Sequence, residues 1–159
     1  MNLNYHIRRF EPGDEPLLRQ VFFSAVHGSA ARNYTVEQRM AWAPEDYDAS
    51  EWSRRMEKNQ PFVLTMDGVP VAFADLQQDG YIDQFFVDAR QGGKGLGLAL
   101  LRFLLARAEA EGLPAIHSHV SLTAEPLFTK AGFFVEERRV VELRGVLFSN
   151  ALMCRLLVR

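Results

Sequence analysis

Alternating apolar and polar positions near the start of the chain predict a β-strand, and a helical pattern follows it. Apolar side chains occupy every second position from Leu3 to Ile7, ahead of a Pro-Gly-Asp break. Asp14, the last residue of that break, stands where a helix N-cap is expected. Apolar side chains then recur at three- and four-residue intervals over residues 17–26, which predicts an amphipathic helix.

Two shorter helices and a β-hairpin are predicted next. Thr35 and Gln38 have the spacing of a capping box, in which each side chain accepts a hydrogen bond from the other residue's backbone N–H. A second short helix is predicted over residues 50–58. Asp67-Gly68 is a typical dipeptide for a tight turn between two strands. The two strands of this hairpin are predicted over residues 62–66 and 69–76.

The second half of the chain alternates strands with helices and ends in another hairpin. The predicted elements are a strand over 81–87, a helix over 96–111, a strand over 115–120, a helix over 123–131, and strands over 133–143 and 146–158. This order predicts an α/β (α+β) fold with a mixed, mostly antiparallel sheet and helices on both of its faces.

Composition and charge restrict the class of protein. The chain has 159 residues, 48% of them hydrophobic, which suits one globular domain over residues 1–159. Its formal net charge of −2 gives no overall attraction to nucleic acid. Neither an apolar run of the roughly 20 residues that cross a bilayer nor a secretion leader is visible, so a cytoplasmic protein without a membrane partner is expected. Cys154 is the single cysteine, and its apolar neighbours predict a buried thiol.

A glycine-rich loop joins the strand predicted over residues 81–87 to the long helix. Its glycines leave room for backbone N–H groups to converge on an anion, helped by the positive end of the helix dipole. The loop is therefore predicted to bind phosphate groups. Its four glycines are Gly92, Gly93, Gly95 and Gly97.

Two kinds of phosphate-binding loop are disfavoured by the residues present. The loop of nucleoside triphosphatases requires Ser or Thr after Gly-Lys, but Lys94 is followed by Gly95. The dinucleotide fingerprint requires a third glycine where this chain has Leu98 or Leu100, depending on which glycine begins the motif.

Residues 87–101 resemble motif A of the GCN5-related N-acetyltransferase (GNAT) superfamily, whose core Q/R-x-x-G-x-G/A precedes a leucine-rich helix. Gly92-Gly93-Lys94-Gly95-Leu96-Gly97 stands at that core, and residues 126–133 resemble the family's later F-Y-x-x-x-G-F segment. The order of elements also resembles the GNAT fold, in which two central parallel strands splay apart; here they would be residues 81–87 and 115–120. Short segments near both ends are similar to the YafP-like bacterial branch.

The resemblance implies transfer of an acetyl group from acetyl-CoA to an amine, with no metal. Backbone N–H groups of the loop would hold the diphosphate, and the pantetheine arm would run between the splayed strands. A free N–H on the motif strand would stabilise negative charge on the thioester oxygen. The residues implied in coenzyme A binding are Phe85, Phe86, Val87, Gly92, Gly93, Lys94, Gly95, Leu96, Gly97 and Phe128.

Two positions depart from the family pattern. The first motif position is usually Gln or Arg but is Gly92 here, so Lys94 or a neighbouring N–H has to replace a side-chain contact to the phosphates. The family's frequent general acid, a Tyr that protonates the leaving thiolate, corresponds to Phe128, which has no proton to donate. Near the splay, His119 and Ser121 share a face and are candidate replacements, and water is another source of the proton.

Asp83 is the candidate general base, because GNAT enzymes often carry an acidic residue on this strand that deprotonates the amine directly or through water. The alternative is that Asp83 faces solvent or pairs with an arginine. An acceptor pocket with aromatic walls and one fixed positive charge would suit a small, partly apolar amine bearing a carboxylate. Its candidate residues are Tyr34, Trp42, Tyr81, Arg144 and Phe148.

Other functions stay open from the sequence. The acceptor could be a protein lysine or N-terminus rather than a small molecule. A GNAT-fold domain could bind acyl-CoA as a sensor without turnover, and an interaction module could leave the loop empty. Both a monomer and a homodimer are compatible with the chain.

Overall fold

The computed structural model describes residues 4–157, which form two sheets flanked by helices. The elements in chain order are β1 (Tyr5–Arg9), α1 (Glu15–His27), α2 (Val36–Trp42), α3 (Ala49–Asn59), β2 (Phe62–Met66), β3 (Val69–Ala74), β4 (Tyr81–Ile82), β5 (Phe85–Val87), α4 (Leu96–Ala110), β6 (Ala115–Ser121), α5 (Glu125–Lys130), β7 (Phe134–Leu143) and β8 (Val146–Leu156). The predicted strand residues Leu3 and Val158 lie outside the described residues.

The strands divide into two four-stranded sheets. One sheet has the order β1-β2-β3-β5 and the other β4-β6-β8-β7. The strands β4 and β6 are parallel, and every other strand pair in the described part of the chain is antiparallel. The mixed, mostly antiparallel architecture predicted from the sequence is therefore confirmed.

The prediction of one continuous strand over residues 81–87 is wrong. The structure divides it into β4, which pairs with β6, and β5, which pairs with β3. Hydropathy did not reveal this division, because apolar residues run on both sides of Asp83 and Gln84.

Helices cover both faces of the sheets, as predicted. The leucines of α4 pack on one face against residues such as Leu64 and Ile116. Side chains of α1, including Phe22, pack on the opposite face against Val63 and Phe73. Because side chains alternate along a strand, the neighbours Val63 and Leu64 of β2 contribute to different cores.

The local turn and cap predictions are mostly confirmed. Thr35 and Gln38 form the complete capping box, and Asp67-Gly68 has positive φ at both residues (51° and 80°), as a tight hairpin turn requires. Asp14 does precede α1, but its side chain makes no cap hydrogen bond. Its carboxylate instead accepts two hydrogen bonds from the Arg8 guanidinium, at 2.8 and 2.9 Å.

Candidate active site

A gap opens between the two sheets where β4 leaves β6. These strands share only two residue pairs, Tyr81 with His117 and Ile82 with Ser118. Ser118 Oγ donates a hydrogen bond of 2.8 Å to the Ile82 carbonyl oxygen at the last of these pairs. The chain then turns away into β5, so the end of β6 has no strand partner on this side among residues 4–157. The splay predicted for the central strands is confirmed.

The buried carboxylate of Asp75 holds the break between β4 and β5. Its Oδ1 accepts a hydrogen bond of 2.6 Å from the Gln84 N–H, and its Oδ2 accepts one of 3.1 Å from the Asp83 N–H and one of 2.6 Å from Gln77 Nε2. Burial raises the pKa of Asp75 above its ordinary value, although these three hydrogen bonds act in the opposite direction. Sequence reasoning missed this residue; its signal was an acidic side chain inside the apolar run over residues 69–76.

The edge of β5 that faces the gap carries unpaired backbone groups. The Gln84 carbonyl accepts a hydrogen bond from the Asp75 N–H, and the Asp88 N–H donates to the Val71 carbonyl on β3. Because backbone groups alternate sides along a strand, the N–H and C=O groups of Phe85 and Val87 point into the gap. They are positioned to bind an extended chain laid between the sheets.

The glycine loop lies at the start of α4. Gly93 and Gly95 have φ of +77° and +78°, in the left-handed region that glycine adopts without strain. Within residues 4–157, the backbone N–H groups of Gly93, Lys94 and Gly95 donate no hydrogen bond, and the first N–H groups of α4 have no partner within the helix. A Cβ atom at Gly93 or Gly95 would meet nothing within 4 Å, so no protein atom crowds the loop on that side. The loop therefore fits a diphosphate.

Side chains contribute to this loop differently. Leu96 is 1% exposed and packs in the core, so only its backbone could contact a phosphate. Gly97 packs on α5, where an added Cβ would lie 3.0 Å from Leu127 Cδ2. Lys94 is exposed, and its Nζ donates to Gln91 Oε1 at 2.8 Å. Gln91, which sequence reasoning did not assign, thus places an amide one position before Gly92.

A cavity of about 570 Å³ runs through the gap and joins the two sides of the sheet. Phe85 and Phe128 line it on the side of α4 and α5, and Trp42 and Phe86 line it on the side of α1. The predicted site residues in its wall are Tyr34, Trp42, Asp83, Phe85, Phe86, His119, Ser121, Phe128, Arg144 and Phe148. Val87 and the glycine loop lie outside this wall.

Tyr81 is absent from the cavity wall, contrary to its predicted place in the acceptor pocket. It precedes the gap and packs on β6, with its ring centroid 5.3 Å from that of His117 and 5.6 Å from that of His119. Its hydroxyl oxygen lies 3.0 Å from His119 Nδ1. Burial, together with Asp83 and Asp75, raises the pKa of Tyr81, so this hydroxyl keeps its proton near pH 7.

His119 is exposed at the end of β6, beside the gap. Partial burial and the nearby positive charge of Arg139, with a smaller effect of His117, lower the pKa of His119 below its ordinary value of 6.5. The imidazole is therefore mostly neutral near pH 7 and able to accept a proton.

Asp83 both lines the cavity and pairs with an arginine. Its Oδ2 accepts a hydrogen bond of 3.1 Å from Arg55 Nη2 and one of 2.9 Å from Asn59 Nδ2. Oδ1 accepts no hydrogen bond from residues 4–157, so one carboxylate oxygen is available to an amine or a water.

Ser121, Phe128 and Tyr34 have structural contacts of their own. Ser121 Oγ accepts a hydrogen bond of 3.1 Å from the Ala124 N–H, in the turn that precedes α5. Phe128 is 1% exposed and packs between Phe85 and Phe133. The Tyr34 hydroxyl donates to the Ser149 carbonyl at 2.7 Å and accepts from the Leu122 N–H at 2.9 Å, so it joins the ends of β8 and β6.

Aromatic side chains form one wall of the cavity. Tyr34, Trp42 and Phe148 contact each other, with ring centroids 5.5 to 6.3 Å apart. Arg144 is exposed in the turn between β7 and β8 and donates from Nη1 to the Ala41 carbonyl. A second cation in the wall, Arg19, was missed from the sequence; it interrupts the apolar face of α1 between Leu18 and Val21.

None of the helices between residues 4 and 157 combines the length and hydropathy needed to cross a membrane.

Comparisons with known proteins agree with this geometry. Residues 30–150 match the family model described as an acetyltransferase (GNAT) domain. The chain is 35% identical over 150 residues to the uncharacterized N-acetyltransferase YafP of Escherichia coli (strain K12), which covers 94% of this chain and 95% of that protein.

Two solved structures show the same fold. A GCN5-related N-acetyltransferase from Rhodopseudomonas palustris superposes with a TM-score of 0.92 at 27% identity over 99% of both chains. The PaiA N-acetyltransferase of Thermoplasma acidophilum, solved with coenzyme A, has a TM-score of 0.76 at 17% identity, over 97% of this chain and 99% of that one. The resemblance inferred from the glycine motif is confirmed, and the chain belongs to the GNAT family of acetyltransferases.

Proposed function

We propose that this protein transfers an acetyl group from acetyl-CoA to the amine of a small molecule by direct attack. The cavity that passes through the gap carries this proposal, because it would let a donor and an acceptor approach each other from opposite sides of the sheet. Its volume of about 570 Å³ is in the range of small-molecule sites.

The donor side is formed by backbone groups. The loop from Gly93 to Gly97 would hold the diphosphate at the start of α4, and the free edge of β5 would pair with the pantetheine arm. An N–H of Phe85 or Val87 would donate to the thioester oxygen as negative charge develops on it.

Two side chains are proposed to move protons. Asp83 would accept the proton of the attacking amine through its free Oδ1, directly or through a water. His119, mostly neutral near pH 7, would relay the proton that the departing thiolate gains, a role that Phe128 cannot fill. One ring nitrogen would donate its N–H while Nδ1 accepts the proton of the Tyr81 hydroxyl, so the relay needs the neutral imidazole. Ser121 is a further candidate, because its bond to Ala124 leaves the hydroxyl proton free.

A second candidate function is an acyl-CoA sensor without turnover. It is supported by Phe128, which occupies the position of the usual acid with an apolar ring.

Titration with acetyl-CoA, followed by thiol release across a library of small amines, tests both functions. Saturable binding with amine-dependent thiol release and an N-acetylated product supports the transferase. Saturable binding without release for any amine supports the sensor, and no saturable binding contradicts both. The Asp83→Asn protein is assayed in parallel to test whether Asp83 activates the amine.

The pH profile of the reaction tests His119. In the wild type, activity that needs neutral His119 should be lost as pH falls through a midpoint below 6.5. In His119→Gln we expect this acidic limb to disappear and kcat/KM to fall by about 100-fold, the usual scale for loss of a general acid or base.

His117→Gln is the matched control, because His117 lies on the same strand outside the cavity wall and should leave an acidic limb in place. If His119→Gln keeps the wild-type acidic limb, the limb belongs to another group and the role proposed for His119 is wrong.

A further inference from the structure

Arg19 is a buried cation in the wall of the cavity. It is 9% exposed, although arginine is rarely buried without a partner. Its guanidinium carbon lies 4.0 Å from the ring centroid of Tyr47, 5.0 Å from that of Phe22 and 5.2 Å from that of Trp52. These rings fix the position of the planar guanidinium.

No carboxylate neutralises this charge within residues 4–157. Every ion pair in this part of the chain, at an N–O distance up to 4.0 Å, is made by an arginine other than Arg19. Arg19 donates one hydrogen bond, of 2.8 Å from Nη2 to the Pro44 carbonyl, while Nε and Nη1 donate none in this part of the chain. Burial lowers the pKa of Arg19; Tyr47 opposes this effect in part, and the nearby positive charge of Arg144 adds a smaller lowering. Nε and Nη1 are not among the fully buried unpartnered atoms of residues 4–157, so they can be reached from the cavity, where a bound anion would pair with them.

The surroundings of Arg19 indicate what else the ligand carries. Three exposed acidic residues, Asp46, Asp48 and Glu51, line the same cavity, so its mouth favours a cationic group such as a protonated amine. Phe22 contacts both Arg19 and Phe86 of β5, with a ring-to-ring distance of 4.8 Å to the latter. The ring of Phe22 therefore lies between Arg19 and β5, the strand that borders the gap.

We propose that the acceptor is a small amino acid-like amine whose carboxylate binds Arg19 while its apolar part lies on the aromatic wall. This inference rests on the proposed function. In the reaction the acceptor nitrogen bonds to the acetyl carbon as the C–S bond breaks, the nitrogen loses one proton and the departing thiolate gains one. The sequence had assigned the carboxylate to Arg144, which also lines the cavity but is exposed in the turn between β7 and β8, whereas Arg19 is buried among aromatic rings.

The kinetic test compares acceptors that differ only in the carboxylate. A panel of apolar and aromatic amino acids is assayed beside the decarboxylated amine and the carboxamide of each. Charge-assisted bidentate binding predicts that the wild type prefers the carboxylate in kcat/KM by about 10- to 100-fold. Arg19→Met should remove this preference, Arg19→Lys should keep part of it, and neither should change the KM for acetyl-CoA. Arg54→Met, an exposed arginine outside the cavity wall, is the control for loss of charge.

A binding test covers the case in which no acceptor in the panel is acetylated. Trp42 and Trp52 both line the cavity, so their fluorescence reports on ligands there. Titration with 3-phenylpropanoate should give a saturable change that 3-phenylpropanamide does not give, and Arg19→Met should abolish it. Equal use of amines with and without a carboxylate, a preference that survives in Arg19→Met, or no saturable binding of the acid would overturn the inference. Acetylation of only those amines that lack a carboxylate would overturn the inference and leave the proposed function intact. Binding of 3-phenylpropanoate without acetylation of any amine would contradict only the proposed function.

Discussion

Gly93→Asp should weaken the binding of acetyl-CoA by about tenfold to hundredfold, whereas Gly93→Asn should change it little. Asn and Asp have nearly the same shape and are the non-glycine residues that best tolerate positive φ, here +77°. Neither side chain meets an obstacle at its Cβ, since nothing lies within 4 Å of that position. The two variants therefore differ mainly in one negative charge, which would stand beside the diphosphate at a cost of about 1.4 to 2.8 kcal/mol, within the range for two unit charges near a protein surface.

Calorimetric titration of both variants and the wild type measures this difference. Raising the ionic strength should narrow the gap between the Asp and Asn variants, because salt screens exposed charges. Equal affinities at low salt would contradict the placement of the diphosphate at this loop, provided that both proteins unfold at the wild-type temperature.

Asp75→Asn should lower both stability and activity, because it removes an acceptor where three donors converge. An amide can accept from the Gln84 N–H but presents its own N–H groups to Asp83 and Gln77. A buried donor without an acceptor costs about 1 to 3 kcal/mol, so the free energy of unfolding should fall by about that amount. Where the variant is still folded, we expect the KM for acetyl-CoA to rise, since Asp75 holds the break that directs β5 away from β6.

The pH dependence of stability distinguishes the effect of the charge of Asp75 from the effect of its shape. Because burial raises the pKa of Asp75 above 3.8, the folded protein binds this proton more tightly than the unfolded chain. The contribution of this residue to stability is greatest below pH 3.8 and falls as pH rises through the folded pKa. In chemical unfolding across this range, the stability of the wild type relative to Asp75→Asn should fall as pH rises. The opposite trend from Asp14, Asp88 and Glu125, whose pKa values are lowered, is common to both proteins and cancels in this difference.

Asp67→Asn is the matched control, because Asp67 is exposed in the turn between β2 and β3 and Asn also tolerates its φ of 51°. Its stability and KM should match the wild type. An unchanged KM in folded Asp75→Asn would show that the gap does not depend on this carboxylate.

Much of the fold was predictable because its signals are local. The periodicity of leucines in α4 and the Asp67-Gly68 turn each act over a few residues, and the structure confirms both. Asp14 was a different case. It has the residue type of an N-cap, but the Arg8 guanidinium, supplied by the neighbouring strand, binds its carboxylate instead.

Part of the candidate site was predictable from the sequence and part was not, again because only some of its signals are local. The glycine loop is contiguous in sequence, so the order of Gly93, Lys94 and Gly95 was enough to predict a loop with free N–H groups before a helix, which the structure has. Arg19 gave no such signal, because its partners Pro44, Tyr47 and Trp52 come from later segments. A charged residue on an apolar helix face can be either surface or pocket until its neighbours are known.

By itself the sequence determined the order of elements, the glycine loop and the family to which the chain belongs, since each depends on spacing along a short stretch of chain. Only the tertiary structure decided where the strand over residues 81–87 breaks and that Arg19 lies in the cavity wall. Both depend on a buried polar side chain, Asp75 in one case and Arg19 in the other, and the energy of a buried polar group is set by groups distant in sequence that fold around it.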